Sequence, residues 1–255
     1  MNNFENMSWS PFDYAKACVL AREVGDEILS RLDWMTLKPK QILDVGCGLG
    51  EQSVKLKNRY PEAQVFALDM SEDMLCYAKN HSADSEVIYL CGDGNHLPLA
   101  NQSVDLIFAN FFLPWQVEIK KIFREWRRVL RPDGLLMFNA LGPDTMKDWH
   151  ELCVQMMDMH DVGDLLQQEG FADPVLDVDY FTIKYREQNQ LQHEVVITGF
   201  IPKSKEFDSQ LSSLSLTYEI IYAHAFAPSH VQSVEDDGTI KIPFSELRKN
   251  LKMRS

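Results

Sequence analysis

Between residues 41 and 141, short apolar runs alternate with stretches of helical spacing. Gln41 to Val45, Val65 to Leu68, Val87 to Leu90, Val104 to Ala109 and Leu135 to Leu141 read as five strands. Glu51 to Arg59, Ser71 to Asn80 and Glu118 to Leu130 read as the helices between them, with Ser71 as a cap and Arg131-Pro132-Asp133-Gly134 as a stop. Strands that are apolar almost throughout belong to a parallel sheet covered on both faces. Right-handed crossovers then make the fold a doubly wound α/β sheet.

Outside that core the pattern is looser. Phe12 to Leu32 is predicted as one helix, with Pro11 at its start. In the last third, Asp161 to Glu169 reads as a helix stopped by Gly170, and Tyr180 to Tyr185 and Leu214 to Phe226 read as strands. They complete a mostly parallel, seven-stranded sheet. A single domain is expected: a helical cover over residues 1–38, a binding core over 39–141, and a lid segment with C-terminal strands over 142–255. Pro143 to Asp161 is the expected lid, Lys203 to Ser213 a polar loop, and Asp237-Gly238 a turn before a short helix from Pro243.

Composition narrows the function classes. The chain has 255 residues, 45% hydrophobic and 25% charged, enough for a full core without disulfides or metal. Its net charge of −13 argues against a nucleic-acid partner. The five cysteines form no Cys-x-x-Cys pair, and the seven histidines show no metal-ligand spacing, so free thiols, no metal and a cytoplasmic setting are expected. No signal peptide and no run of about 18 apolar residues is visible, so no membrane span is expected. Nothing points to an oligomer, and monomer is the default.

The chemistry concentrates at strand ends. Asp44-Val45-Gly46-Cys47-Gly48-Leu49-Gly50 joins a strand to a helix. Its glycines allow close backbone approach by a ligand, and the helix start favours negative charge. A dinucleotide site is one reading, but its G-x-G-x-x-G spacing is absent. Asp44 would also face a pyrophosphate badly and suits a cation, such as the ammonium and sulfonium of S-adenosylmethionine. Asp69 ends the second strand, where a carboxylate can take ribose hydroxyls, and Asp93 ends the third, within reach of an adenine amine.

These residues, with Gly92-Asp93, Leu97-Pro98, Asp105 and Arg128 to Gly134, resemble the class I S-adenosylmethionine-dependent methyltransferases over roughly residues 40 to 141. Asp133 stands where that family often has glycine. A narrower resemblance rests on Tyr14 to Ala17, Arg22-Glu23, Met74-Leu75, Asn110 with Trp115, Leu141 to Thr145, Asp161 to Phe171 and Tyr218 to Ala225. It is to the malonyl-[acyl-carrier protein] O-methyltransferases of biotin synthesis. Mitochondrial complex I assembly factors that modify arginine share much of it. Ala21 and Pro114 stand where the biotin enzymes commonly have glutamine.

The resemblance implies S-adenosylmethionine held by Asp44, Gly46, Cys47, Gly48, Gly50, Asp69, Met70, Asp93, Gly94 and Asn110. It implies Tyr14 closing over the methyl group as the catalytic residue, with Trp115 as an apolar wall. Arg22 is a candidate for the acceptor's acid group. An acidic carrier protein would need local positive charge, and Lys120, Lys121, Arg124, Arg127 and Arg128 lie on one predicted helix. Their alternative reading is a solvated helix face. Other functional readings are methyl transfer to a small metabolite, a quinone precursor or a protein arginine, a non-catalytic assembly factor, and a nicotinamide dehydrogenase.

Overall fold

A computed structural model describes residues 10–82, 85–147, 149, 152–202 and 214–229. The expected loop over Lys203 to Ser213 and the turn and helix after residue 235 lie outside them, as does part of the expected lid.

Seven strands form one sheet: β1 (Gln41–Val45), β2 (Gln64–Asp69), β3 (Ile88–Cys91), β4 (Val104–Ala109), β5 (Leu130–Leu141), β6 (Ala172–Lys184) and β7 (Ser215–Phe226). Their order is β3-β2-β1-β4-β5-β7-β6. The first five run parallel, and β7 lies antiparallel between β5 and β6. The strand order reverses between β1 and β4, where such sheets leave a crevice at their carboxyl ends.

The helices are α1 (Pro11–Ala17), α2 (Val19–Ser30), α3 (Glu51–Arg59), α4 (Glu72–His81), α5 (Ile119–Val129), α6 (Met159–Gln168) and α7 (Gln188–Ile197). Successive strand residues feed opposite cores. Ile42, Leu106 and Phe108 pack with Val24, Ile28, Leu56 and Leu191 from α2, α3 and α7. Leu43, Ile107 and Ala109 pack with Phe123, Trp126, Val162 and Leu166 from α5 and α6. This period of two, with both faces covered, is why the strands read as continuous apolar runs. Among the described residues no helix is long and apolar enough to cross a membrane.

The first predicted helix is broken. Cys18 leaves helical geometry (φ −84°, ψ 38°), so α1 and α2 are separate segments, although the Arg22 N–H still reaches the Cys18 carbonyl. Strand β5 starts at Leu130, earlier than expected, because Leu130 pairs with Val104 before a register shift. Asp133 accounts for the turn there: it holds a left-handed φ of 63°, the conformation glycine favours, and its carboxylate accepts from Ser229 Oγ.

Strand β6 begins eight residues before the predicted Tyr180. It is an edge strand whose outward positions include Asp173, Asp177 and Asp179, so charge and Pro174 mask the alternation of Leu176 and Val178. Helix α7 was not foreseen, since only Leu191 and Val195, one turn apart, are buried in a run of polar residues.

Candidate active site

Four parallel strands end on one edge of the sheet and deliver Asp44, Asp69, Asp93 and Asn110 to a single cleft of about 570 Å³. Helices α1 and α2 cover it: Tyr14, Cys18, Ala21 and Arg22 are among its walls. The cofactor and acceptor residues expected from sequence, Gly50 apart, all line this one space.

The glycine turn is shaped by what surrounds it. Gly46 (φ 73°) lies under the Phe112 ring, 2.8 Å from where a Cβ would sit. Gly48 (φ 51°) has nothing within 4 Å of its Cβ position, so the turn faces open space there. Gly46 and Cys47 donate their N–H groups to the Leu68 carbonyl, at 2.8 and 3.0 Å, which fixes the turn against β2. Gly50 caps α3, and a Cβ there would meet the side chains of Ala78 and Tyr89, each at 3.0 Å, instead of the cleft.

Asp44 is 2% exposed. Burial lifts its carboxyl to about 7, against the pull of the hydrogen bond from Ser53 Oγ and with a further push from Asp69. A buried carboxyl in that range is only partly ionised at neutral pH, and a neighbouring cation would favour its charged form. Asp69 is also raised by burial, opposed by the N–H groups of Ser71, Gly48 and Met70. Its oxygens accept from Ser71 and Gly48 at 2.9 Å each, which leaves acceptor capacity for hydroxyl groups.

Asp93 is exposed. Burial pushes its carboxyl up, but hydrogen bonds from the Asn95 backbone, the Asn95 side chain and His96 outweigh it and hold it low. Met70, 70% exposed, borders the same end of the cleft. Gly94 is needed where it stands, since a Cβ there would lie 2.5 Å from the Phe112 ring and 2.9 Å from Val45.

On α1, the phenol of Tyr14 is pushed up by burial, then by Cys18, Asp69 and Glu51, so it stays protonated at neutral pH. Trp115 packs edge-on against Phe111 and Phe200, at 6.4 and 6.0 Å between ring centroids. The Arg22 guanidinium holds both oxygens of Glu51, with bonds of 2.8 Å, and donates to the Ala15 carbonyl at 2.7 Å. It joins α2 to α3 rather than standing ready for an acid. The Asn110 side chain is likewise engaged, with Ala21 and Asn139.

The sequence reading missed Phe112, which floors the cleft under Gly46 and Gly94, and Glu51, Gln52 and Gln116 in its walls. An aromatic pair directly after a strand end was the available signal for Phe112. Nothing in the spacing marks Gln52, whose Nε2 donates to Asp26 at 3.2 Å beneath α2.

Of the five cations on α5, Arg128 bonds Glu125 and the carbonyls of Leu97 and Leu99, and Arg127 bonds the carbonyls of Gly170 and Pro228. Lys120 and Arg124 share Glu169, and Lys121 pairs with Glu118. These last three keep more than half of their side-chain surface exposed.

Residues 43–138 match the model of a methyltransferase domain. A malonyl-[acyl-carrier protein] O-methyltransferase of Methylovorus sp. (strain MP688) is 36% identical over 84% of this chain and 84% of its own length. One of Gallionella capsiferriformans (strain ES-2) is 32% identical over 91% and 92%. Among solved structures, phosphoethanolamine N-methyltransferase 2 of Haemonchus contortus, in complex with S-adenosyl-L-methionine, superposes with a TM-score of 0.60. It is 16% identical, covering 88% of this chain and 59% of its own, and so shares the fold. With relatives this similar along most of both lengths, the chain belongs to the malonyl-[acyl-carrier protein] O-methyltransferase family.

Proposed function

We propose that this protein transfers a methyl group from S-adenosylmethionine to the free carboxylate of a malonyl group carried on acyl-carrier protein, an early step of biotin synthesis. The observation that carries the reading is the row of strand-end carboxyls around an open glycine turn, in a chain whose relatives bear that activity in their names. The residues fit the cofactor: Gly48 faces empty space, Asp44 is a buried carboxyl that a cation would ionise, and Asp69 keeps acceptor capacity.

In this reading Asp44 takes the ammonium group, Asp69 the ribose hydroxyls and Asp93 the adenine amine, with Met70 and Gly94 against the base. Gly46, Cys47 and Gly48 give the backbone surface. Gly50 acts at one remove, by shaping the start of α3. Asn110 acts through its backbone and as a tie to α2. Bound there, S-adenosylmethionine supplies an electrophilic methyl group on a sulfonium.

A carboxylate acceptor is already a nucleophile at neutral pH, so the protein needs to position it and exclude water. Tyr14 does the first: its protonated phenol donates a hydrogen bond that aims the carboxylate. Helices α1 and α2 do the second, with Trp115 and Phe111 as the apolar wall. Neutralised by Glu51, Arg22 keeps the cover closed without trapping the acceptor as an ion pair.

The carrier protein docks, in this proposal, on Lys120, Lys121 and Arg124. They occupy the end of α5 that follows Gln116, a cleft residue, whereas Arg127 and Arg128 are committed to the fold. The protein is taken as a monomer. Mass spectrometry of malonyl-carrier protein after incubation with enzyme and S-adenosylmethionine tests the reading. One added methyl on the malonyl group is expected, and none on unloaded carrier. An unmodified malonyl group would refute it.

A further inference from the structure

Phe111 is an unusual residue at which to turn left-handed. Its φ is 51°, it is 7% exposed, and it is one residue beyond Asn110 at the mouth of the cleft. Non-glycine residues hold that conformation only where their surroundings enforce it. The enforcing group is Asn139, near the carboxyl end of β5. Its Oδ1 accepts the Phe111 N–H at 2.7 Å, and its Nδ2 donates to Asn110 Oδ1 at 2.6 Å. Asn110 Nδ2 then donates to the Ala21 carbonyl in α2 at 2.8 Å.

Asn139 has no exposed surface and lies between Phe138 and Ala140, in a strand otherwise apolar from Leu135 to Leu141. Packing alone would be served by leucine. A buried amide is tolerated because it is hydrogen-bonded, and here its two bonds, one of them relayed by Asn110 to α2, serve three things the site requires. The turn at Phe111 sends two adjacent rings to different work. Phe111 joins Trp115 on the acceptor side, in a row continued by Phe200 and Tyr218, while Phe112 floors the glycine turn. The third is the seat of α2.

We propose that Asn139 is a positioning residue for the methyl transfer: one buried amide sets the acceptor wall and ties down the cover helix. The inference rests on the methyl-transfer reading above for its kinetic arm, and on geometry alone for its structural arm.

Asn139→Ala removes both bonds. Asn139→Asp keeps the shape and the acceptor for Phe111, but turns a second oxygen toward Asn110. Three quantities are measured on the full chain: kcat/KM for malonyl-carrier protein, calorimetric affinity for S-adenosylhomocysteine, and hydrogen exchange by segment. Asn139→Ala is expected to lose roughly 100-fold in kcat/KM, mostly as a raised acceptor KM, with cofactor-product affinity within about threefold of wild type. Exchange should speed up at residues 110–113 and in α2, but not in α5. The loss in Asn139→Asp should shrink as pH falls, because a protonated acid donates to Asn110 as the amide does.

Unchanged kinetics with unchanged exchange overturns the proposal. So does a parallel loss of kcat/KM, affinity and exchange protection throughout the chain, which would mean general destabilisation. If the alanine variant does not fold, the aspartate variant decides by its pH profile. A wild-type protein that methylates no malonyl carrier would sink the activity reading instead. The exchange arm would then decide, with faster exchange confined to the two segments supporting the role and a uniform or absent change overturning it.

Discussion

A carboxyl group that burial has lifted to about 7 is only partly ionised at neutral pH unless a cation joins it. In the unliganded fold, Asp44 holds a proton that the unfolded chain gives up near 3.9. Its contribution to stability therefore declines as pH rises from about 4 to about 7, the reverse of a salt-bridged aspartate. Ligand binding has the opposite sign. A cation favours the ionised form, so affinity is complete above about 7 and should fall by up to about tenfold per pH unit below it. Calorimetry with S-adenosylmethionine between about pH 5.5 and about pH 8.5 checks this. A flat profile would show that Asp44 meets no cation. At the same scale, Gly94→Ala drives a Cβ into Phe112 and Val45 and should cost about 1–3 kcal/mol of stability, read from denaturant melts. A neutral result would mean that the loop yields freely.

At the scale of elements, the cover helix α2 rests on a glycine. Ala favours a helix over Gly by about 1 kcal/mol, so an isolated α2 would gain from Gly25→Ala. In the fold, the new Cβ would lie 2.3 Å from Gln52 Nε2 and 2.8 Å from Asn110 Nδ2. The substitution is expected to lower the melting temperature and weaken turnover, and a raised melting temperature would contradict a close seat for α2. Elements also show what a sequence can reveal. The five parallel strands were legible because they are apolar runs, buried on both faces in β1, β4 and the later part of β5 and only partly buried in the edge strand β3, and the strand-end acids were legible because each sits at the end of such a run. The break at Cys18 was not: it is a small backbone departure within a helical pattern, and the α-type bond from Arg22 persists across it. Helix α7 and most of β6 were hidden by polar residues, since each buries only one stripe. Asn139, a lone polar residue in an apolar strand, could be flagged from sequence, but its partners Phe111 and Asn110 could not be named without the fold.

The molecule as a whole carries a net charge of −13, which should repel an acidic carrier protein. The proposed docking therefore calls on local cations, and the described α5 surface offers Lys120, Lys121 and Arg124. The exposed pair of Lys121 with Glu118 contributes little, so Lys121 can exchange partners, while Lys120 and Arg124 meet a Glu169 side chain that is only 6% exposed and turn more than half of their own surface outward. Reversing Lys121 and Arg124 to glutamate should raise KM for malonyl-carrier protein about tenfold, reduce its salt dependence, and spare affinity for S-adenosylhomocysteine. Steady-state kinetics at two salt concentrations checks this. An unchanged KM would move the docking surface elsewhere and leave the cleft assignments untouched.

The reaction itself is the most direct test. Enzyme, methyl-labelled S-adenosylmethionine and malonyl-carrier protein are incubated together, with malonyl-coenzyme A and unloaded carrier as controls, and the product is treated with base. The account predicts label on the malonyl carrier that base releases, as a carboxylate methyl ester requires, and no label on unloaded carrier. No label on the malonyl carrier, from protein that still binds S-adenosylhomocysteine tightly, would contradict it: the cleft would then serve a different acceptor or no transfer at all.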